Sequence, residues 1–146
     1  SKLPPQIDGW YCLGWPIMIY IAYGANLNKS NMKLRCPKAV SIGSSRVDNY
    51  KLIFNNVASI VKSPGDHVEV GLWEITMNSE KSLDRFEGFP SLYRKEYLEQ
   101  GMVYIMNHDG MAVPNENYFE TIAQGYRDFE LDRSYLDKAL IEAYDY

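Results

Sequence analysis

The feature that most constrains this chain is the run Ile17-Met18-Ile19-Tyr20-Ile21-Ala22-Tyr23-Gly24-Ala25-Asn26, an apolar, β-branched segment that stops at a small glycine-containing turn. A polar helix start, Asn28-Lys29-Ser30-Asn31, follows at once. Periodicity alone does not separate such a run from a buried helix. The β-branched content and the flanking Gly24 assign it to a strand covered on both faces, feeding a loop and then a helix. Gly24 has no Cβ, so the loop has two readings: a tight turn, or a concavity in which the N–H groups of Gly24, Ala25 and Asn26 converge on an anion.

At 146 residues, 46% hydrophobic and 23% charged, the chain suits one domain with a sizeable core and no long disordered tract. Its formal net charge of -4, with lysines and arginines scattered, provides no footprint for nucleic acid. Cys12 and Cys36 are too few for a disulfide framework, and with only His67 and His108 beside them no structural zinc is expected. Ser1 to Asp8 is polar, and Gly9 to Pro16 is aromatic but broken by glycine and proline. A membrane span needs about 20 apolar residues, which Pro16 interrupts. A signal peptide wants a basic start, whereas Lys2 is answered by Asp8. Residues 1–17 are therefore read as an extension or an added leader, and residues 18–146 as a single cytoplasmic domain.

Further along, Asn28 to Arg35 reads as a short helix capped by Asn28 and stopped by Pro37. Ala39 to Phe54 is one bent strand or two short ones, interrupted at Gly43-Ser44-Ser45. Asn55-Asn56 is a turn, Ala58 to Lys62 a short strand, Ser63-Pro64-Gly65-Asp66 a second turn, and His67 to Ile75 an alternating strand. Tyr93 to Glu99 and Met102 to Met106 form a hairpin around Gln100-Gly101. Asn115 and Asp132 then open two helices. Strands first and helices gathered late make an α+β pattern: a small mixed, mostly antiparallel β-barrel with flanking helices.

The second chemically informative stretch is Asn78 to Pro90. Asn78 or Ser79 caps a helix that Gly88 and Pro90 end, with Leu83 and Phe86 on its buried face and Lys81, Asp84 and Arg85 pointing away. Glu87 lies on the shoulder of the apolar face, at the negative end of the helix dipole and between Phe86 and Phe89. Both influences disfavour its ionised form. The alternative is a carboxylate whose stem covers apolar surface while its head reaches water.

Together these stretches resemble the gamma-glutamylcyclotransferase-like family from Met18 to about Tyr144. Tyr-Gly-Ala-Asn at 23 to 26 is similar to that family's Tyr-Gly-Ser-Asn loop, and Leu83-Asp84-Arg85-Phe86-Glu87-Gly88-Phe89 to its catalytic-glutamate segment. Leu92-Tyr93-Arg94-Lys95, Pro114-Asn115-Glu116-Asn117-Tyr118 and Gly125-Tyr126-Arg127-Asp128-Phe129 also match. The resemblance implies an α+β enzyme that cyclises a γ-glutamyl compound to 5-oxoproline and releases an amine or amino acid, with Glu87 as general acid/base. It implies no metal or organic cofactor and a small-molecule partner, with the chain a monomer or homodimer. Ala25 departs from the family serine: the backbone donor survives, but a hydroxyl is lost. The hairpin at Gln100-Gly101 is also short.

The residue types suit this chemistry. A carboxylate takes a proton from the substrate α-amine and returns it to the leaving amine. Tyr23, Gly24, Ala25 and Asn26 grip the α-carboxylate, and loop N–H groups or the hydroxyls of Tyr93 and Tyr118 stabilise the oxyanion. A non-catalytic binding or interaction module on the same fold is the competing reading.

Overall fold

The computed structural model describes residues 17–146. Five strands make one sheet: β1 (Ile17–Ala22), β2 (Val40–Asn55), β3 (Val57–Thr76), β4 (Tyr93–Tyr97) and β5 (Met102–Met106), in the spatial order β2-β3-β1-β5-β4. Four α-helices accompany it: α1 (Lys29–Arg35), α2 (Met77–Glu87), α3 (Glu116–Asp128) and α4 (Arg133–Tyr144). The apolar run is β1, the central strand. It pairs antiparallel with β3, from Ile17 opposite Thr76 to Ala22 opposite Gly71, and parallel with β5 through Tyr20 and Met102. Every other ladder is antiparallel, so the sheet is mixed and mostly antiparallel as the sequence suggests.

The expected barrel does not close. Strand β1 pairs with only the last six residues of β3. Beyond that point the first part of β3 leans over toward β4 and β5 without joining their ladder. Side chains bridge the gap instead: the Met106 N–H donates to Ser59 Oγ at 3.0 Å, and the Tyr93 hydroxyl donates to the Ala58 carbonyl at 2.6 Å. The sheet is thus curled and open, with one wall of the resulting hollow made by side chains.

The turn expected at residues 63–66 is a bulge inside one long strand. Tyr50 faces Lys62 and Asp48 faces His67, which leaves residues 63–66 opposite Asn49 alone. Asn49 takes a left-handed φ of 66° and accepts from the Gly65 N–H at 3.0 Å. Proline and glycine here bend a hairpin that continues on both sides, because the alternating residues beyond them still find partners on β2. The alternative of one bent strand over Ala39 to Phe54 holds, with register shifts at Ser41/Gly43 and Asp48/Tyr50.

Helix α1 has the expected cap, Asn28 Oδ1 accepting from the Asn31 N–H at 3.0 Å. Helix α2 starts earlier than expected. Thr76, rather than Asn78 or Ser79, caps it through the Ser79 N–H at 3.3 Å, because the chain turns directly out of β3. Gly88, at φ 67°, supplies the left-handed residue that ends the helix just after Glu87. Helix α3 has the cap Asn115 and α4 the cap Asp132, both as read from sequence. Among the described residues no helix is long and apolar enough to cross a membrane. The expected leader lies outside the described residues except for Ile17, which is already in β1.

Candidate active site

After β1 the buried Tyr23 leads into Gly24 and a single 3-10 turn, Ala25–Leu27. The turn is closed by the Leu27 N–H on the Gly24 carbonyl at 2.9 Å and the Asn28 N–H on the Ala25 carbonyl at 3.0 Å. Those bonds use the later N–H groups; the N–H groups of Ala25 and Asn26 lie at the open start of the turn. The loop is held from several directions. Trp73 Nε1 donates to the Asn26 carbonyl at 3.0 Å, and Asn28 Nδ2 to the Thr121 carbonyl at 3.1 Å. The buried Asn26 amide donates to the Tyr20 hydroxyl at 2.9 Å and accepts from Arg35.

A Cβ on Gly24 would stand 3.2 Å from Ala58 Cβ and 3.7 Å from the Tyr118 hydroxyl. The missing side chain is therefore what lets the loop approach β3 and α3. Between them lies a cavity of about 260 Å³ lined by Tyr23, Gly24, Ala25, Asn26, Glu87, Tyr93 and Tyr118, together with Tyr20, Val57, Ala58, Phe86 and Leu92. Every residue singled out in the sequence lies on this cavity, although the stretches are far apart along the chain. Sequence reasoning missed Tyr20, Val57 and Ala58, and had Leu92 only as the motif neighbour of Tyr93. Tyr20 was visible only as one member of an apolar strand, and nothing in the sequence places Val57 or Ala58 near the loop.

Glu87 projects from the last turn of α2, and its carboxyl group faces the cavity while protein surrounds it on most other sides. Burial pushes its proton affinity up, to a pKa of about 7, against a smaller opposing pull from the Arg35 guanidinium. The enclosure has a different source from the one expected. Phe86 is 53% exposed, with Arg35 Cζ stacked 3.3 Å from its ring centroid, and Phe89 is 37% exposed. Tyrosines of β1, β4 and α3 share the cavity with Glu87: Tyr20, Tyr93 and Tyr118. Asp84 also differs from expectation: it turns inward, accepts from the Tyr104 hydroxyl at 2.6 Å, and pairs with Lys95 at 3.0 Å. Lys95 reaches Glu80 as well, at 2.6 Å. Helix α2 thus meets β4 and β5 through a charged network, while Phe86 lines the cavity on one side and is open to solvent on the other.

The phenols are neutral groups at physiological pH. Burial raises the proton affinity of Tyr23 and Tyr93 far above the usual phenol value, and that of Tyr118 to a pKa of about 12. Their protons are disposed differently. Tyr23 donates to the Tyr104 carbonyl at 2.7 Å and Tyr93 to the Ala58 carbonyl at 2.6 Å. Tyr118 accepts from the Ala58 N–H at 2.9 Å, which leaves its own hydroxyl proton available to the cavity.

The arrangement is a hollow between a curled sheet and the ends of two helices, with one carboxyl group of raised pKa facing backbone donors across neutral phenols. That is a class of site for acid/base chemistry on a small polar molecule. The chain belongs to the gamma-glutamyl cyclotransferase, AIG2-like family, whose model matches residues 20–128. A Mus musculus protein named Gamma-glutamylcyclotransferase is 30% identical over 142 aligned positions, covering 82% of this chain and 76% of that protein. A Homo sapiens protein of the same name is 30% identical over 151 aligned positions, covering 88% of this chain and 80% of its own length. A solved structure named Gamma-glutamyl cyclotransferase superposes with a TM-score of 0.74 at 27% identity, covering 85% of this chain and 86% of that one. The reading of the chain as an enzyme of this family stands on these likenesses.

Proposed function

We propose that this chain cyclises a γ-glutamyl amino acid or γ-glutamyl amine to 5-oxoproline and releases the free amine, with Glu87 moving the proton. The observation that carries the proposal is the placement of Glu87, with a pKa of about 7, across a cavity of about 260 Å³ from the Gly24-Ala25-Asn26 loop. The substrate α-carboxylate sits against the N–H groups of Ala25 and Asn26, which folds its α-amine toward its own γ-carbonyl. Ionised Glu87 accepts a proton from the α-amine as the nitrogen attacks the γ-carbon. The new C–N bond closes the ring, the oxyanion forms, and the bond to the leaving nitrogen breaks as Glu87 returns its proton there. No water is consumed. A group with a pKa near neutrality both accepts and donates at physiological pH, which is what the two transfers demand.

Tyr118 is the phenol assigned to the oxyanion, because the protons of Tyr23 and Tyr93 are already donated to backbone carbonyls. Tyr23 and Tyr93 then serve as walls. Asn26 contributes its backbone, since its side-chain amide is engaged by Tyr20 and Arg35. The proposal keeps a cytoplasmic setting and a monomer or homodimer. The test is to incubate the protein with γ-glutamyl amino acids, γ-glutamyl amines and glutathione and to assay 5-oxoproline. Formation from at least one of them is the expected result. Tight binding without product would instead favour a non-catalytic module.

A further inference from the structure

Arg35 closes α1 and was not singled out by any motif, yet its half-buried guanidinium touches both halves of the cavity wall. Its Nη1 donates to Asn26 Oδ1, on the loop. Its Cζ lies 3.3 Å from the ring centroid of Phe86, the residue preceding Glu87 on α2. A planar guanidinium donates along its edge while its flat face stacks on the ring; a lysine ammonium is a point charge with no flat face to stack. Arg35 forms no direct ion pair with Glu87, so that carboxylate is left free for a substrate.

We infer that Arg35 is a positioning residue for the reaction: one guanidinium latches the substrate-gripping loop to the end of the helix that bears Glu87, and keeps a fixed positive charge near that carboxyl group. The inference rests on the role proposed for Glu87. The latch has a structural logic. The loop leaves β1 after Ala22, whereas α2 leaves β3 after Thr76, at the opposite end of their shared ladder. Arg35 belongs to a third element and bonds to both.

The charge has few competitors. The other titratable groups whose fields reach Glu87 from the surrounding elements are the phenols of Tyr20, Tyr23, Tyr93, Tyr104 and Tyr118, all held in the neutral form by burial. The Cys36 thiol beside Arg35 is also pushed up by burial and neutral. On α2 itself, Asp84 is turned toward Lys95 and Tyr104. Arg35 is therefore the charge that offsets the cost of ionising Glu87.

The test uses the full chain and two readouts. Carbon-13 NMR of the glutamate carboxyl groups, with the Glu87 signal identified by its loss in Glu87→Gln, follows the titration of Glu87 without requiring turnover. Steady-state 5-oxoproline formation provides KM and kcat. In Arg35→Gln the Glu87 midpoint moves up by roughly half to one pH unit, and KM rises about tenfold. In Arg35→Lys the charge is kept and the midpoint stays near the parent's, but KM rises because the latch is lost. Phe86→Leu keeps an apolar side chain on the cavity wall and removes the aromatic face under Arg35; it behaves like Arg35→Lys.

A parental midpoint in Arg35→Gln overturns the inference. So does an equal shift in Arg35→Lys, or a parental KM in both arginine variants. If Arg35→Gln does not fold, a parental KM in both Arg35→Lys and Phe86→Leu overturns it. Failure of the underlying reading looks different: undiminished 5-oxoproline formation in Glu87→Gln removes the catalytic role of Glu87 while the titration comparison still decides whether Arg35 acts on it.

Discussion

Glu87→Gln preserves shape and removes the ability to carry a proton. Turnover is expected to fall by roughly 10² to 10⁴, with substrate affinity changed much less. The same variant carries a stability prediction whose sign follows from the raised pKa. The folded protein holds the Glu87 proton more tightly than the unfolded chain, shifting the ordinary value of 4.5 to about 7. The stabilisation from the protonated form is present below the unfolded value and is lost as pH rises through the folded one. The parent should therefore lose stability relative to Glu87→Gln between about pH 4.5 and 7, by on the order of 1 to 3 kcal/mol. Denaturant midpoints of the two proteins near pH 5 and near pH 8 measure it; a constant difference between them would show that Glu87 is not held in a desolvating site. Ala25→Ser should be tolerated, because Ala25 is half-buried on the cavity and a hydroxyl enters open space. Unchanged or tighter substrate binding is the expected reading by calorimetry.

Elements meet at close range where α3 crosses the loop. A Cβ on Gly125 would stand 2.4 Å from Leu27 Cβ and 2.6 Å from the Leu27 carbonyl carbon, a backbone atom that has little room to move. Gly125→Ala should cost about 1 to 3 kcal/mol of stability as overpacking and should raise KM, because the strain is relieved by displacing the Ala25–Leu27 turn. Thermal unfolding and kinetics on one preparation check both parts; a variant with parental KM would show that the loop does not follow α3. This contact explains a limit of sequence reading. Gly125 appeared only as part of a motif on a helix with apolar spacing, and spacing says which face is buried, not what lies against it. Caps and strands were legible because they are local, as with Asn28, Asn115 and Asp132. The cap of α2 was misplaced because Thr76 reads equally as the end of an alternating strand, and only its geometry separates the two roles.

At the scale of the whole molecule, β1 pairs along its full length from Ile17 onward with β3. Every described residue of β1 thus has a partner on β3. A chain beginning at Ile17 is expected to unfold cooperatively and to retain 5-oxoproline formation. Loss of the cooperative transition in denaturant would show that Trp10 or Trp15 belongs to the core.

Local chemistry in the sequence was enough to determine the α+β class and the strand-loop-helix unit at Ile17 to Arg35, whereas for Glu87 it offered two readings, a carboxyl group with a raised pKa or a head reaching water. These depend on β-branched runs, capping residues and helix ends, which act over a few positions. Whether the sheet closed was not local: it depended on how β3, curving past its bulge, met β5, and the result is an open hollow bridged by Ser59 and Tyr93. Nor was the source of the Glu87 environment. The helix end and the neighbouring phenylalanines suggested the right direction of shift, but Phe86 is more than half exposed under Arg35, and phenols from β1, β4 and α3 share the cavity with Glu87. A pKa is set by every group that surrounds a carboxylate in space, and those groups are brought together only when the chain has folded.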